Sequence, residues 1–145
     1  APAAPAGGGA GSRRSFAAAG HPIPAGNQWG PIAADHLRGG YEAAQSLAAA
    51  GDGFDCLICT GDLIAFGAHR YLETRRPRTP LPPIFGFDDN PLNAWIAPWL
   101  SSVSIPYDAF GKAIVEAILQ RGEAAKTRWI FDHRLVVRGN GEDAG

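Results

Sequence analysis

A chain of 145 residues with 46% hydrophobic content is the size of one packed domain. Its net charge of −1 and sequence pI near 6.5 leave no basic face of the kind that phosphate neutralisation requires, so the chain by itself is not expected to bind nucleic acid. It contains no run of about 18 apolar residues and no charged start followed by an apolar core, so no membrane association or secretion is expected and the chain reads as cytoplasmic.

Residues 1–12 are Ala, Pro, Gly and Ser only and read as a flexible low-complexity arm, because such a stretch buries too little to order itself. Arg13 to Ala19 forms a short helix that Gly20 stops; His21 to Pro24 is extended, since proline disfavours helix at the residue before it; and Trp29-Gly-Pro31 marks a turn. From Ala33 to Ala50, Leu37, Tyr41, Ala44, Leu47 and Ala48 recur at helical spacing, and Gly51 to Gly53 ends that helix.

Phe54 to Cys59 is an apolar run of strand length. It holds both cysteines of the chain, Cys56 and Cys59. On a strand, residues three apart point to opposite faces, which defeats a shared metal or redox pair and suggests two buried structural thiols. Asp62 then caps a helix with Leu63, Ile64, Phe66, Tyr71 and Leu72 on its apolar side; Arg75 and Arg76 suit its C-terminal dipole, and Pro77 stops it.

A loop over Pro77 to Pro82 leads to a second strand, Pro83 to Phe87, and strand–helix–strand order favours a parallel, right-handed unit. The chain is α/β. Asn90 to Leu100 holds a short helix broken near Pro98, with Leu92, Trp95, Ile96 and Trp99; the two tryptophans read as core or interface residues. Ser101 to Ile105 is a third strand. Tyr107 to Arg121 is an amphipathic helix, with Phe110, Ile114, Ala117 and Ile118 on one side and Lys112 and Glu116 four apart on the other, stopped by Gly122. That stripe needs covering, and docking within the chain or across a dimer is expected. Trp129 to Val137 is the last strand, and 140–145 a polar tail.

No Ser or Cys lies in a nucleophile elbow. The run Gly7 to Gly11 lacks the strand and the Lys-Ser/Thr of a phosphate loop, and His21, His36, His69 and His133 lack metal-ligand spacing. Neither catalysis nor a cofactor or metal is expected.

The chemistry concentrates in two apolar runs that each end in a small-residue turn with an Asp: Asp55 to Ala68 (Asp-Cys-Leu-Ile-Cys-Thr-Gly-Asp-Leu-Ile-Ala-Phe-Gly-Ala) and Ile84 to Asp89 (Ile-Phe-Gly-Phe-Asp-Asp). In open α/β sheets ligands bind beyond the carboxyl ends of strands. The pair resembles the LacI/GalR family of bacterial transcription regulators, in the C-terminal half of their effector-binding domain. The helix pattern Asp-x-x-Ala-x-Gly-Ala is met by Asp62 to Ala68 and the Gly-Phe-Asp-Asp turn by Gly86 to Asp89. Pro98 to Val103 is similar to Pro-x-Leu-Thr-Thr-Val, and Pro106, Gly111 and Leu135 to Gly139 follow in order. The match runs from about Gly20 to Gly139.

The resemblance implies a three-layer parallel-sheet sandwich, one lobe of a type I periplasmic-binding-protein-like fold, with residues 13–139 as the C-terminal part of an effector-binding and dimerisation domain. It implies a small sugar-like metabolite as effector, with Asp88 accepting hydrogen bonds from it and Asp62, Trp29 or Asp35 also in the site. As alternatives, Asp62 is a helix cap and Asp88 pairs with a neighbour. It implies a homodimer through Phe66, His69, Arg70, Leu92, Trp95 and Ile96, and DNA contact only through a helix-turn-helix lying outside this stretch. Two departures stand out: Gly61 replaces the usual Asn, and the place of the family's effector-gripping Arg falls near Gly8. A periplasmic-type sugar-binding protein serving a transporter shares the fold and is the alternative function.

Overall fold

The computed structural model describes residues 9–29, 35–50, 54–75, 81–119 and 128–139. Four strands make one sheet in the order β1 (Leu57–Ile58), β2 (Ile84–Asp88), β3 (Leu100–Ser104), β4 (Arg134–Val136). β1 and β3 flank β2 in parallel, with Leu57 opposite Ile84, and Ile84, Gly86 and Asp88 opposite Leu100, Ser102 and Ser104. β4 closes the sheet antiparallel, with Ser102 opposite Val136. This is the expected α/β architecture with a parallel-dominated sheet.

The first helix, α1, runs Gly9–Ala18, so order begins within the stretch expected to be an arm. Once a helix is nucleated, each further residue adds a hydrogen bond, and the run of Ala, Ser and Arg before Phe16 carries it back past residue 12. Its end is as expected. Gly20 sits at φ 81, and His21 N–H donates to Phe16 O while Gly20 N–H donates to Ala17 O, the paired closure that a left-handed glycine permits. A 3-10 turn at Ala25–Asn27 follows. The Trp29–Pro31 turn, the 51–53 stop, most of the 77–82 loop, Gly122 and the 140–145 tail fall wholly or partly outside the described residues.

Helix α2 spans His36–Ala49 and α3 Asp62–Arg75. α3 covers one face of the sheet and α2 packs against α3. The two helices cross at glycines: a Cβ on Gly40 would meet the Ile64 carbonyl, and one on Gly67 the Leu37 carbonyl. Beside this crossing the rings of Tyr41 and Tyr71 meet edge-on at 5.2 Å. Ala65, Ala68, Tyr71 and Leu72 from α3 close over Leu57, Ile84 and Leu100 to form the core.

β1 is shorter than the Phe54–Cys59 run. As the edge strand it has one neighbour, and its ladder extends only through Leu57 N–H to Pro83 O and Cys59 N–H to Phe85 O. The two cysteines part company accordingly: Cys59 is buried, whereas Cys56, lying before the pairing begins, is exposed. Burial of both thiols is therefore corrected. Burial pushes the Cys59 thiol up to about 12, and because the thiolate is the nucleophile, a maleimide should label one thiol per native chain and a second only in denaturant. Mass spectrometry distinguishes the two.

At the other edge, β4 occupies only Arg134–Val136, and Trp129 to His133 is not strand. Phe131 instead turns onto Phe110, ring centroids 4.6 Å apart. Helix α5 (Tyr107–Leu119) has no buried residue. The expected docking within the chain stops at Phe110; Ile118 and Leu119 are 65% and 75% exposed.

Candidate functional site

The carboxyl ends of β2 and β3 meet the N-terminus of α3, and Asp62 lies at the centre of that junction. Its carboxylate belongs to a residue only 1% exposed and accepts three hydrogen bonds: from Ser102 Oγ at 2.7 Å, from Asn90 N–H at 2.8 Å and from Asn93 Nδ2 at 2.8 Å. Among the described residues none of these donors belongs to α3, so Asp62 ties the loop after β2 to β3 rather than capping its own helix. Gly86 makes room for it, since a Cβ there would collide with Asp62 Oδ1.

The loop held in this way is the Asp-Asp turn. Asp88 and Asp89 both have positive φ, 109 and 50, a conformation that side-chain-bearing residues adopt only when their surroundings impose it. Here Asp89 N–H donates to Ser102 Oγ at 3.1 Å while its carboxylate pairs with Arg138 Nη2 at 2.6 Å. Arg138 Nη1 reaches Leu100 O at 3.3 Å, and the Arg138 backbone exchanges hydrogen bonds with Ser101 Oγ. Arg138, just beyond β4, thereby clamps the turn. The side chains of Arg138 and Asp89 are 19% and 15% exposed, enough shielding for this pair to outweigh a surface ion pair.

With its backbone fixed, Asp88 projects into solvent. Its one described partner is Tyr107, the first residue of α5, whose phenol donates to Asp88 Oδ1 at 2.9 Å. That hydrogen bond raises the Tyr107 phenol above its ordinary range. Nearby, a shallow apolar cleft of ≈ 280 Å³ opens between Phe87, Val103, Phe110, Trp129 and Phe131.

The sequence candidates divide. Asp62 and Asp88 come to the same end of the sheet, with Gly61 between them: a Cβ on Gly61 would stand 3.5 Å from Asp88 Oδ2. Asp35 instead caps α2, its Oδ1 accepting from Leu37 N–H at 2.9 Å. Trp29 makes no hydrogen bond or ring contact with Asp88 or Tyr107 among the described residues. Sequence reading missed Tyr107, Asn93 and the Asp89–Arg138 pair. Arg138 and Asp89 each carried a signal, in the Leu135 to Gly139 and Gly86 to Asp89 motifs, but nothing in the sequence pairs them.

A separate surface gathers the apolar interface candidates. Leu92, Ile96 and Trp95, the last 84% exposed, stand out around the short helix α4 (Asn93–Ile96). Beside α3, His69 stacks on Trp99 with ring centroids 3.7 Å apart and planes 5° from parallel, and Phe66 meets the same Trp99 edge-on at 6.2 Å. Burial lowers the His69 pKa against the opposing pull of Glu73, whose carboxylate lies 3.6 Å from His69 Nδ1. Arg70 is exposed. No helix among the described residues is long and apolar enough to cross a membrane.

The ends of the parallel strands thus carry one buried aspartate, Asp62, and one exposed aspartate, Asp88. No family model matches the chain. It is 36% identical over 112 residues to the HTH-type transcriptional regulator MalR of Streptomyces coelicolor, covering 72% of this chain and 31% of that protein. It is 42% identical over 60 residues to an uncharacterised HTH-type transcriptional regulator from the aml 5′ region of Streptomyces violaceus, covering 39% of this chain and 78% of that one. The solved structure of a LacI-family regulator from Sanguibacter keddieii superposes with a TM-score of 0.73 at 28% identity, covering 89% of this chain and 49% of that chain. A sugar-binding LacI-family regulator from Escherichia coli, complexed with phosphate, gives 0.71 at 25% identity, with 90% and 47% covered. The chain belongs to the LacI/GalR family of transcriptional regulators, in the C-terminal half of their effector-binding domain. It spans about a third of the length of MalR. Because these relatives regulate transcription, the transporter-linked alternative is set aside.

Proposed function

We propose that this chain is the effector-sensing and dimerising portion of such a regulator and that Asp88 receives hydrogen bonds from a small sugar-like metabolite. The observation that carries this reading is the Asp88 carboxylate, exposed on a left-handed turn whose next two residues are held, Asp89 by Ser102 and Arg138 and Asn90 by Asp62. A rigid backbone presenting an acceptor to solvent lowers the ordering cost of binding. The similarity to a sugar-binding regulator supports the ligand class. In the whole protein, an effector that binds the closed arrangement of two lobes better than the open one shifts that equilibrium, and with it the spacing of paired DNA-binding heads.

Asp88→Asn should weaken binding of a cognate sugar by about tenfold or more, because the amide replaces one of two acceptor oxygens with a donor. Isothermal titration with a panel of pentoses and hexoses checks this; unchanged affinity in the variant would remove Asp88 from the site.

Dimerisation is supported by Trp95, Leu92 and Ile96. Three large apolar side chains clustered in water are unusual unless a partner covers them, and a two-fold axis would bury each patch twice. Sedimentation at tens of micromolar should show a dimer that Trp95→Asp converts to monomer. A wild-type chain that stays monomeric would count against the interface.

A further inference from the structure

Because Tyr107 sits on the acceptor that the proposed function assigns to the effector, its part in recognition can be worked out from hydrogen-bond direction. We infer that Asp88 and Tyr107 act as a recognition pair of two adjacent acceptors, and that Tyr107 is a specificity-determining residue selecting effectors with two neighbouring hydroxyl or amino donors, such as a vicinal diol. This inference rests on the proposed role of Asp88.

A carboxylate accepts and never donates, whereas a phenol has one proton and two lone pairs. In this structure the one Tyr107 proton is committed to Asp88 Oδ1 at 2.9 Å, so what the phenol oxygen offers a ligand is a lone pair. The raised pKa of Tyr107 keeps that proton in place at neutral pH. Asp88 Oδ2 accepts no hydrogen bond among the described residues. It faces the space beside Gly61, where a Cβ would stand 3.5 Å away and any larger side chain would compete with a ligand for the oxygen. Both residues are exposed, so the two acceptors open to the same solvent. The phenol oxygen lies 2.9 Å from Asp88 Oδ1, close to the spacing of oxygens on adjacent sugar carbons, and the same carboxylate carries Oδ2. At the Asp88–Tyr107 pair itself an anionic group would meet only lone pairs and negative charge, so the pair favours hydroxyl or amino donors over a phosphate.

The geometry also explains how the pair is positioned. Asp88 ends β2 on its strained turn, and Tyr107 opens α5 just after Pro106, with Tyr107 N–H donating to Ile105 O at 2.9 Å. The phenol ring is braced by Phe110, ring centroids 6.4 Å apart. The pair therefore bridges the sheet and the helix that leaves it, and a ligand engaging both oxygens contacts both elements.

The test is Tyr107→Phe, which keeps the ring and removes the oxygen, with D-ribose, D-glucose and D-galactose and their monodeoxy analogues as probes in isothermal titration. The expected result has three parts: a sugar that binds the wild-type chain, about tenfold weaker binding of that sugar by the variant, and one monodeoxy analogue that binds both proteins equally weakly, because the lost hydroxyl and the lost phenol are partners. In parallel, ultraviolet titration of Tyr107 in Asp88→Asn should move the phenol down toward its ordinary range, which reads out the Tyr107–Asp88 hydrogen bond itself. If the sugar binds the wild type and Tyr107→Phe equally, the recognition pair is overturned while Asp88 as a site stands. If no probe binds the wild type, the proposed function falls and takes this inference with it.

Discussion

Asp62→Ala should be among the most destabilising single substitutions in this chain, at about 3–5 kcal/mol. The carboxylate it removes is the acceptor for Ser102 Oγ, Asn93 Nδ2 and Asn90 N–H, and Ser102 and Asn93 are fully buried. A buried donor stripped of its acceptor keeps its desolvation penalty, about 1–3 kcal/mol each. Asn93 has no reserve, because its Oδ1 is already without a partner among the described residues. For a domain stabilised by about 5–15 kcal/mol the loss is a large fraction of the whole. Urea denaturation of Asp62→Ala beside Asp88→Asn gives the comparison: the exposed Asp88 should change stability by less than about 0.5 kcal/mol. Equal midpoints for the two variants would mean that Asp62 is not the clamp described.

The second large effect has a sign opposite to that of helix propensity. Replacing glycine by alanine inside a helix ordinarily stabilises by about 1 kcal/mol, and Gly111→Ala, with nothing within 4 Å of the new Cβ, should behave so. Gly67→Ala should instead destabilise by about 1–3 kcal/mol. Its Cβ would enter the Leu37 carbonyl and lie 2.8 Å from Tyr41 N, and these are backbone atoms of α2 that no rotamer change can move aside. The helices must separate, opening the Tyr41–Tyr71 contact and the core beneath it. Thermal melts of the two variants should shift in opposite directions. A Gly67→Ala chain melting above wild type would show that the α2–α3 crossing does not depend on close approach at Gly67.

Much of the fold was legible because the forces that make it are local and periodic. The parallel β1–α3–β2 unit follows from two apolar runs of strand length separated by a helix-period stretch, a pattern with few alternative packings. Gly20 could be read as a stop because a left-handed closure needs a residue without Cβ. Strand order alone put Asp88 beyond the carboxyl end of a strand; its expected role toward an effector came from the resemblance of Gly86 to Asp89 to a family turn.

What sequence could not show depends on partners distant along the chain. Beside Asp62 the sequence offers a helix start, so local capping is the natural reading, yet its three donors lie 28, 31 and 40 residues away. Tyr107 and Asp88 are 19 residues apart on a helix and a strand that periodicity treats separately. The same limit governs the surfaces. The apolar stripe of α5 and the Leu92, Trp95 and Ile96 cluster announce in sequence that something must cover them, since exposed apolar area is unfavourable whatever its address. The sequence by itself determined the order and type of the elements, because helix and strand periods are written in consecutive residues. Only the tertiary structure decided which aspartate is buried as a clamp and which is presented to solvent, because that choice is made by hydrogen-bond donors that folding alone brings together.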